Sequence, residues 1–216
     1  NLPQLWADKL PVPAPDFHKY SRGHVVIVGG SEMTGAARLA ARAARRAGAG
    51  ILSIVSPANA KHIYEISDAG NLVLELPAKK GLSGILDNKR RNAVLVGPGN
   101  GVTELTRKNA ISALTSKNAV VLDADALTAF EGDPETLFGS IKGRCVLTPH
   151  QGEFDRLFKI NGDKLSRCRE AAKLANSVII LKGFDTIIAE PNGRVVINAN
   201  APADLATAGA GDVLAG

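Results

Sequence analysis

Residues 24–56 read HVVIVGGSEMTGAARLAARAARRAGAGILSIVS. His24–Val28 and Ile51–Val55 are short, apolar and rich in β-branched side chains, a composition typical of strands. Between them, Gly35–Ala47 is rich in alanine, which favours a helix. Gly29 and Gly30 mark a turn between the first strand and the helix. The segment therefore predicts a strand, a helix and a second strand, as in a parallel α/β sheet.

The same alternation continues along the chain. Further apolar strands are predicted at Ala93–Val96, Ala119–Leu122, Cys145–Leu147 and Val178–Leu181, with helical patterns between them such as Val102–Leu114 and Leu165–Ala175. Runs that are apolar at successive positions indicate strands that are buried on both faces. We therefore predict an α/β fold in which a largely parallel central sheet is flanked by helices on both faces.

A β-hairpin is predicted near the end of the chain. Thr186–Glu190 and Arg194–Asn198 flank the segment Pro191-Asn192-Gly193. Because Asn-Gly favours a type I′ turn, this turn type is expected between the two hairpin strands.

The first 20 residues are predicted to form an extended arm, because Pro11, Pro13 and Pro15 break helices. Residues 21–216 are predicted to form one domain. The beginning of the chain has no apolar core of the kind that secretory signals carry, so we expect no signal peptide.

The composition argues against several classes of protein. Aromatic residues make up only 4% of the 216 residues, which disfavours a stacking platform for single-stranded nucleic acid. No apolar run approaches the ~20 residues of a membrane helix. The cysteines, Cys145 and Cys168, are too few for a disulfide scaffold and do not match a C-x-x-C metal motif. We expect a cytoplasmic enzyme or binding protein with no nucleic-acid or membrane partner.

The net charge of +5 suits anionic partners, although the basic residues are spread along the chain. Arg38, Arg42 and Arg45 fall on one helical face by their spacing. Such a stripe is either a solvated surface or a contact for a partner.

Glycine is in excess, with 22 residues. Half of them lie in four clusters: Gly29, Gly30 and Gly35; Gly48 and Gly50; Gly97, Gly99 and Gly101; Gly209, Gly211 and Gly216. Three of these clusters follow an apolar strand or begin a helix, where open α/β sheets bind ligands. Two common nucleotide motifs do not explain them. Ala36 and Ala37 stand where a P-loop has Lys and Ser or Thr, and the G-x-G-x-x-G of a dinucleotide fold is missing.

The strongest chemical signal is the segment ATAGAGDVLAG at 206–216. Gly209 and Gly211 permit a turn whose backbone N–H groups point one way, and a helix that begins near Asp212 would add its positive end. Together they predict an anion hole for a phosphoryl group in transfer. Asp212 can accept the proton of an attacking hydroxyl group there, or it is only the N-cap of the helix.

The G-A-G-D sequence followed by V-L-A-G is similar to the anion-hole motif of ribokinase-like kinases. Five other segments stand in the order found in the ADP/ATP-dependent NAD(P)H-hydrate dehydratase family, which has a carbohydrate-kinase-like domain: 30–37, 96–101, 122–127, 147–154 and 181–183. This resemblance covers about residues 20–216. It implies repair of hydrated NADH or NADPH (NADHX or NADPHX). In this reaction a nucleotide, mostly ADP in bacterial members, phosphorylates the 6-hydroxyl group, and phosphate elimination restores the nicotinamide ring.

The resemblance also implies roles for individual residues. The catalytic group comprises Asp212 with Gly209, Ala210 and Gly211. The substrate is expected at Ala36, Gly101, His150 and Asp212. The adenine nucleotide, ADP or ATP, is expected at Lys182, Gly183, Phe184, Asp185, Thr186 and Gly211. From the residues themselves, Mg²⁺ is expected at Asp125 and Glu153, and the alternative for Glu153 is that it only favours the N-terminus of the helix.

Some of these segments also have a purely structural interpretation. The segment Thr148-Pro149-His150-Gln151 satisfies a capping box that starts at Thr148. Asp123 and Asp125 either hold magnesium through water or cap the following helix.

Two other functions stay open. Ala210 replaces the Ser or Thr that is usual in the family, as in many sugar kinases, so a ribokinase-like kinase for a vitamin precursor or sugar is one alternative. The other is a nucleotide-binding module without catalysis. The resemblance further implies a homo-oligomer and a fused or separate NAD(P)HX epimerase. Because members of the family continue with further helices, we expect the domain to extend past Gly216.

Overall fold

The computed structural model of the chain describes residues 2–12 and 14–216, and in them nine strands form one sheet. The strands are β1 His24–Val28, β2 Ile51–Ser56, β3 Leu72–Glu75, β4 Ala93–Val96, β5 Ala119–Leu122, β6 Cys145–Leu147, β7 Val178–Leu181, β8 Thr186–Ala189 and β9 Val195–Asn198. Their order is β3-β2-β1-β4-β5-β6-β7-β8-β9. The seven strands from β3 to β7 in this order are parallel, whereas β8 and β9 are antiparallel. The predicted, largely parallel sheet is confirmed.

Helices cover both faces of the sheet. They are α1 Thr34–Ala47, α2 Lys61–Glu65, α3 Gly81–Leu86, α4 Glu104–Leu114, α5 Asp125–Thr128, α6 Pro134–Ser140, α7 Gln151–Leu157, α8 Lys164–Ala175 and α9 Ala210–Ala215. Val26 and Val28 belong to the apolar cluster that contains α3 to α8, while Ile27 belongs to the cluster with α1, α2 and α9. This alternation along one strand, with both sides buried, is what a parallel sheet between two helical layers requires.

The structure corrects the hairpin turn. Gly193 N–H donates to the carbonyl of Glu190, so Pro191 and Asn192 are the central residues of the turn. A type I′ turn needs positive φ at both central residues, and the ring of Pro191 forbids it. Only Gly193, with φ +89°, is left-handed within this turn. The pattern is that of a three-residue hairpin loop in which a left-handed glycine follows the turn.

The sequence reasoning missed β3. Leu72–Glu75 lies at the edge of the sheet and is only partly buried, so it lacks the strong apolar run of the central strands.

The N-terminal segment also differs from the extended arm predicted for residues 1–20. It contains two short 3₁₀ helices, Pro3–Leu5 and Ala7–Lys9. Proline is compatible with the first position of a helix, so Pro3 does not oppose the first of them. Pro13 lies outside the described residues. The division into an arm and a domain of residues 21–216 stays a prediction.

Across the described residues, no helix combines the length and the apolar character needed to cross a bilayer.

Candidate active site

The carboxyl ends of parallel strands meet at one edge of a sheet, and the predicted site residues follow these ends. Ala36 follows β1, Gly101 follows β4, Asp125 follows β5, and His150 and Lys182 follow β6 and β7. A parallel bridge between His150 and Lys182 extends the pairing of β6 and β7 beyond the regular strands. The fold therefore gathers segments that are far apart in the sequence.

Lys182 forms the central ion pair of this edge. Its Nζ donates to Oδ1 of Asp123 at 2.7 Å, and it lies 4.0 Å from Oε2 of Glu153. Asp123 is only 2% exposed, and its Oδ1 also accepts a hydrogen bond of 2.7 Å from Thr148 Oγ1. The carboxylate of Asp123 thus accepts hydrogen bonds from Lys182 and Thr148, and it does not cap the next helix.

The glycine-rich loop meets this ion pair. Nζ of Lys182 lies 3.5 Å from the position that a Cβ atom of Gly211 would occupy. Gly209, with φ +88°, is the N-cap of α9, and the helix begins at Ala210. The helix thus starts two residues before Asp212, near which its start was predicted, and Asp212 is not its N-cap. The structural alternative for Asp212 is therefore wrong.

The environment of Asp212 holds the pKa of its carboxyl group above the ordinary value. Burial is the main cause, and the negative charges of Asp123 and Asp125 add to it, while the charge of Lys182 opposes them. A carboxylate with a raised pKa is a better proton acceptor than an exposed one. These interactions also show that Asp212, Asp123, Asp125 and Lys182 lie in one electrostatic cluster.

The loops after β1 and β4 pack backbone against backbone. A Cβ atom at Gly30 would overlap the carbonyl oxygen of Gly99, so only glycine fits. The position of a Cβ atom at Gly99 lies 3.2 Å from Cβ of Ala36, at the start of α1. Tyr64 holds the loop after β1 in place, because its hydroxyl group donates a hydrogen bond of 2.7 Å to the carbonyl of Gly30. Burial raises the pKa of Tyr64 to about 12.

Asp125 fixes the Gly101 loop. Its Oδ2 accepts a hydrogen bond from Gly101 N at 2.8 Å, and Thr106 Oγ1 donates to the carbonyl of Gly101 at 2.6 Å. The side chain of Asp125 does not cap α5, whose N-cap is Ala124. Ala124 has φ +48° and ψ −119°, a strained backbone for a residue with a side chain. The capping interpretation of the Asp123 and Asp125 pair is therefore wrong.

The capping box lies two residues beyond its predicted position. His150 is the N-cap of α7: its Nδ1 accepts hydrogen bonds from the N–H groups of Gly152 and Glu153, and Glu153 Oε2 accepts from His150 N at 2.8 Å. Thr148 is unavailable because its hydroxyl group bonds to Asp123. The box predicted at Thr148 and Gln151 is therefore wrong. The side chain of His150 is still 55% exposed, which leaves part of the ring accessible.

The segment expected to hold the nucleotide is a tight turn. The hydroxyl of Thr186 donates to the carbonyl of Gly183 at 2.7 Å and accepts from Gly183 N at 3.1 Å. Asp185 forms an ion pair with Lys164, which lowers the pKa of Asp185. The ring of Phe184 is 88% exposed, with the ammonium group of Lys164 5.8 Å from its centre.

Helix α9 is seated on α1. A Cβ atom at Gly209 would lie 2.7 Å from Cδ1 of Leu39, and Gly216 packs against the backbone of Ala40. Ala215 joins the small side chains of α1 in the same apolar cluster. The glycine-rich loop is therefore anchored on the helix that also carries Ala36.

The described residues contain no group of three or more His, Cys, Asp or Glu side chains arranged to hold a metal ion. Of the two predicted magnesium ligands, Asp125 keeps one carboxylate oxygen to which none of the described residues donates a hydrogen bond, whereas Glu153 is engaged by His150 and Lys182.

The sequence did not predict three side chains that support the site through hydrogen bonds, namely those of Tyr64, Thr106 and Thr148. Each acts through a partner at least five residues away, so no local motif points to it.

The chain is similar to known proteins in sequence and in fold. A carbohydrate-kinase family profile, described as NAD(P)H-hydrate dehydratase, matches residues 25–216. A bifunctional NAD(P)H-hydrate repair enzyme of Moorella thermoacetica is 37% identical over 232 residues, which is 100% of this chain and 43% of the relative. The chain therefore spans less than half the length of this curated relative.

Two solved structures resemble the fold. An ADP/ATP-dependent NAD(P)H-hydrate dehydratase of Bacillus subtilis, co-crystallised with ATP and Mg²⁺, has a TM-score of 0.80 and 30% identity over 95% of this chain and 74% of that one. A ribokinase-like superfamily protein of Enterococcus faecalis has a TM-score of 0.81 and 23% identity over 94% of this chain and 72% of that one, and agrees in fold. The predicted ribokinase-like fold is confirmed. By its profile match and its relatives, the chain belongs to the NAD(P)H-hydrate dehydratase family.

Proposed function

We propose that the protein converts NADHX or NADPHX to NADH or NADPH, with ADP or ATP as the phosphoryl donor. The observation that carries this proposal is the junction of Asp212, the Gly209–Gly211 loop and Lys182. A base, a row of backbone N–H groups and a cation at one point are the parts that phosphoryl transfer needs.

In the first step the carboxylate of Asp212 takes the proton of the 6-hydroxyl group of the substrate. At the same time, the oxygen of that hydroxyl group bonds to the terminal phosphorus of the nucleotide. The bond from that phosphorus to the nucleotide breaks, and AMP leaves if the donor is ADP. The N–H groups of Gly209 and Gly211 stabilise the charge on the phosphoryl oxygens, and that of Ala210 joins them by giving up its 3.3 Å hydrogen bond to the carbonyl of Thr207. In the second step the carbon–oxygen bond breaks, phosphate leaves, and loss of a proton from the adjacent carbon restores the ring double bond.

Lys182 serves as the fixed cation beside the transferred group. Because Asp123 holds its Nζ at 2.7 Å, the ammonium group does not have to be ordered during the reaction. Ala36, Gly101 and His150 contact the hydrated dinucleotide. Gly101 does so through the space that its missing side chain leaves, since its N–H is already bonded to Asp125.

The adenine nucleotide lies along Lys182, Gly183, Phe184, Asp185 and Thr186, with Gly211 at its phosphate end. The exposed ring of Phe184 supports this proposal, because a large aromatic side chain on a turn is well placed to cover a base.

Mg²⁺ fits this edge only in part. Asp125 would hold it through water together with the nucleotide phosphates, which is the usual mode for this cation. Glu153 is a weaker ligand because its carboxylate is bonded to His150 N. Bound Mg²⁺ supplies positive charge to the phosphate oxygens.

The proposal extends to the setting of the protein. We place it in the cytoplasm, as a homo-oligomer, together with a fused or separate NAD(P)HX epimerase. The bifunctional repair enzyme among the relatives supports a second, linked activity.

The test is the return of reduced-nicotinamide absorbance when the protein is mixed with hydrated NADH, Mg²⁺ and either ADP or ATP. Turnover with at least one nucleotide is expected, and no return with either nucleotide contradicts the proposal. A stable phosphorylated product from a vitamin precursor or sugar would instead identify a kinase. Binding of ADP without turnover of any substrate would identify a nucleotide-binding module.

A further inference from the structure

The strand order of the sheet changes direction between β1 and β4. From β1 the order runs outward to β2 and β3, and from β4 it runs outward to β5 and β6. In open α/β sheets the loops diverge at such a point and leave a crevice beyond the strand ends. The loop after β1 leads to Ala36, and the loop after β4 leads to Gly101. The spacing of these two strand ends therefore determines where the two expected substrate contacts lie.

The regular hydrogen bonding of β1 to β4 ends just before these loops. Ile27 and Leu95 form the last pair of the parallel register. In a parallel ladder the N–H and C=O groups of alternate residues face the same neighbouring strand. The next groups that face each other across the two strands are therefore the N–H of Gly97 and the carbonyl of Val28.

The side-chain amide of Asn100 lies between these two groups. Its Oδ1 accepts a hydrogen bond from Gly97 N at 2.9 Å, and its Nδ2 donates to the carbonyl of Val28 at 2.8 Å. Because the N–H needs an acceptor and the carbonyl needs a donor, these partners also fix the orientation of the amide. Two hydrogen bonds in series thus join the strand ends where a regular ladder would have one, and the amide group holds β1 and β4 apart.

The strand ends have no room to close if this amide is removed. A Cβ atom at Gly30 would lie 1.7 Å from the carbonyl oxygen of Gly99, so the two loops are already in backbone contact. Gly97 and Val28 are both buried. Without Asn100, the N–H of Gly97 and the carbonyl of Val28 would lose their partner inside the protein. Buried backbone groups without partners are costly, so the loops would have to move.

We infer that Asn100 is a positioning residue for the substrate: its side-chain amide sets the separation of β1 and β4 at their carboxyl ends, and with it the distance between Ala36 and Gly101. This inference rests on the proposed function. The nucleotide should be unaffected, because the segment that starts at Lys182 follows β7, three strands from β4 in the sheet. At ~4.8 Å per strand this separation is about 14 Å.

The test uses three single variants and measures KM for hydrated NADH and KM for the nucleotide, in the presence of Mg²⁺. Asn100→Ala removes both hydrogen bonds. Asn100→Asp keeps the acceptor for Gly97 N but places a carboxylate oxygen against the carbonyl of Val28. Asn92→Ala is the matched control, because Oδ1 of Asn92 accepts from His24 N at 2.8 Å and joins the same two strands at their opposite ends.

For both Asn100 variants we expect KM for hydrated NADH to rise about tenfold, the usual effect of leaving a buried group unpaired. The value of kcat and KM for the nucleotide should change less than about twofold, and Asn92→Ala should leave all three constants within about twofold. A general loss of packing would instead change both KM values together.

An unchanged KM for hydrated NADH in either Asn100 variant overturns the inference. In Asn100→Asp this result would show that the hydrogen bond within the loop is sufficient without the one to β1. Equal rises in KM for the two substrates also overturn it. Absence of turnover by the unchanged protein with either nucleotide overturns the proposed function instead.

Amide hydrogen exchange gives a second readout that needs no turnover. The N–H of Gly97 should exchange about tenfold faster in Asn100→Ala than in Asn92→Ala, whereas Asn100→Asp should keep its protection because it keeps that hydrogen bond. Unchanged protection of Gly97 in Asn100→Ala would show that another group bonds to this N–H. That result contradicts the role of Asn100 whether or not the protein is active.

Discussion

Nζ of Lys182 lies 2.7 Å from Oδ1 of Asp123, a buried carboxylate that also accepts the hydroxyl group of Thr148. The pair joins the ends of β5 and β7 across β6, so it fixes the spacing of the loops that form the candidate site. The Lys182–Asp123 pair therefore stabilises the carboxyl edge of the sheet and also positions the groups proposed to carry out the reaction there.

Lys182→Met should lower the free energy of unfolding by about 3 kcal/mol, because it leaves Asp123 buried without its cation. Lys61→Met is the matched control. Lys61 pairs with Glu65 at 3.5 Å on the surface, so its loss should cost less than about 1 kcal/mol. Denaturant unfolding measures both, and equal effects of the two substitutions would show that the Lys182 pair adds nothing special.

Asp212→Asn should lower kcat by about 10²–10⁴, the usual contribution of a general base. The affinity for AMP or ADP should change little, because the backbone N–H groups of the loop and the Lys182 segment are retained. Steady-state turnover of hydrated NADH and calorimetric titration of the nucleotide measure the two effects. An active Asn variant would remove Asp212 as the base.

The raised pKa of Asp212 predicts the shape of the pH profile. The base works only when deprotonated, so kcat/KM should fall as the pH drops through the pKa of Asp212, and this should occur at higher pH than for an ordinary aspartate. Measurement of kcat/KM across the acidic range shows this limb. The residual rate of Asp212→Asn should lack it, and its persistence in that variant would assign the limb to another group.

Thr106 provides a matched pair of substitutions. Thr106→Val removes the hydroxyl group that donates to Gly101 O and should raise KM for hydrated NADH about tenfold, with little change in KM for ADP. Thr106→Ser keeps the hydroxyl group and should stay within about twofold of the unchanged protein. If Val and Ser raise KM equally, the hydrogen bond to Gly101 is not what positions the loop.

His24 should make stability depend on pH. It is buried, with Nε2 2.8 Å from Ser53 Oγ, and burial together with the charge of Arg91 lowers its pKa below the usual 6.5. The unfolded chain then binds a proton more readily, so the stability is fully present above pH 6.5 and is lost as the pH falls toward the folded pKa. The slope contributed by this group cannot exceed about 1.4 kcal/mol per pH unit. Denaturant unfolding from about pH 7.5 to 5.5 measures it, and His24→Gln should flatten the curve.

The fold was predictable because its signals are local and repeated. Ile51–Val55 and Val178–Leu181 are apolar at successive positions, and such runs identify buried strands without knowledge of their neighbours. Leu72–Glu75 lacked that signal because an edge strand is only partly buried.

The site was predictable in its residues but not in their contacts. The segment 148–153 contains two possible capping boxes, one starting at Thr148 and one at His150. The second forms because Asp123, 25 residues earlier, takes the hydroxyl group of Thr148. In the same way, the Gly101 amide rather than the local helix takes the carboxylate of Asp125. Long-range partners of this kind leave no trace in a local pattern.

The strained backbone of Ala124 separates the duties of the two acidic residues beside it. Successive odd positions of a strand project to one side, so an uninterrupted β5 would set Asp123 and Asp125 next to each other as repelling charges. With the reversal at Ala124, Asp123 reaches Lys182 and Thr148, and Asp125 reaches the Gly101 loop. The carboxylate of Asp123 thus holds the strand ends together, while that of Asp125 has one oxygen available to bind a ligand.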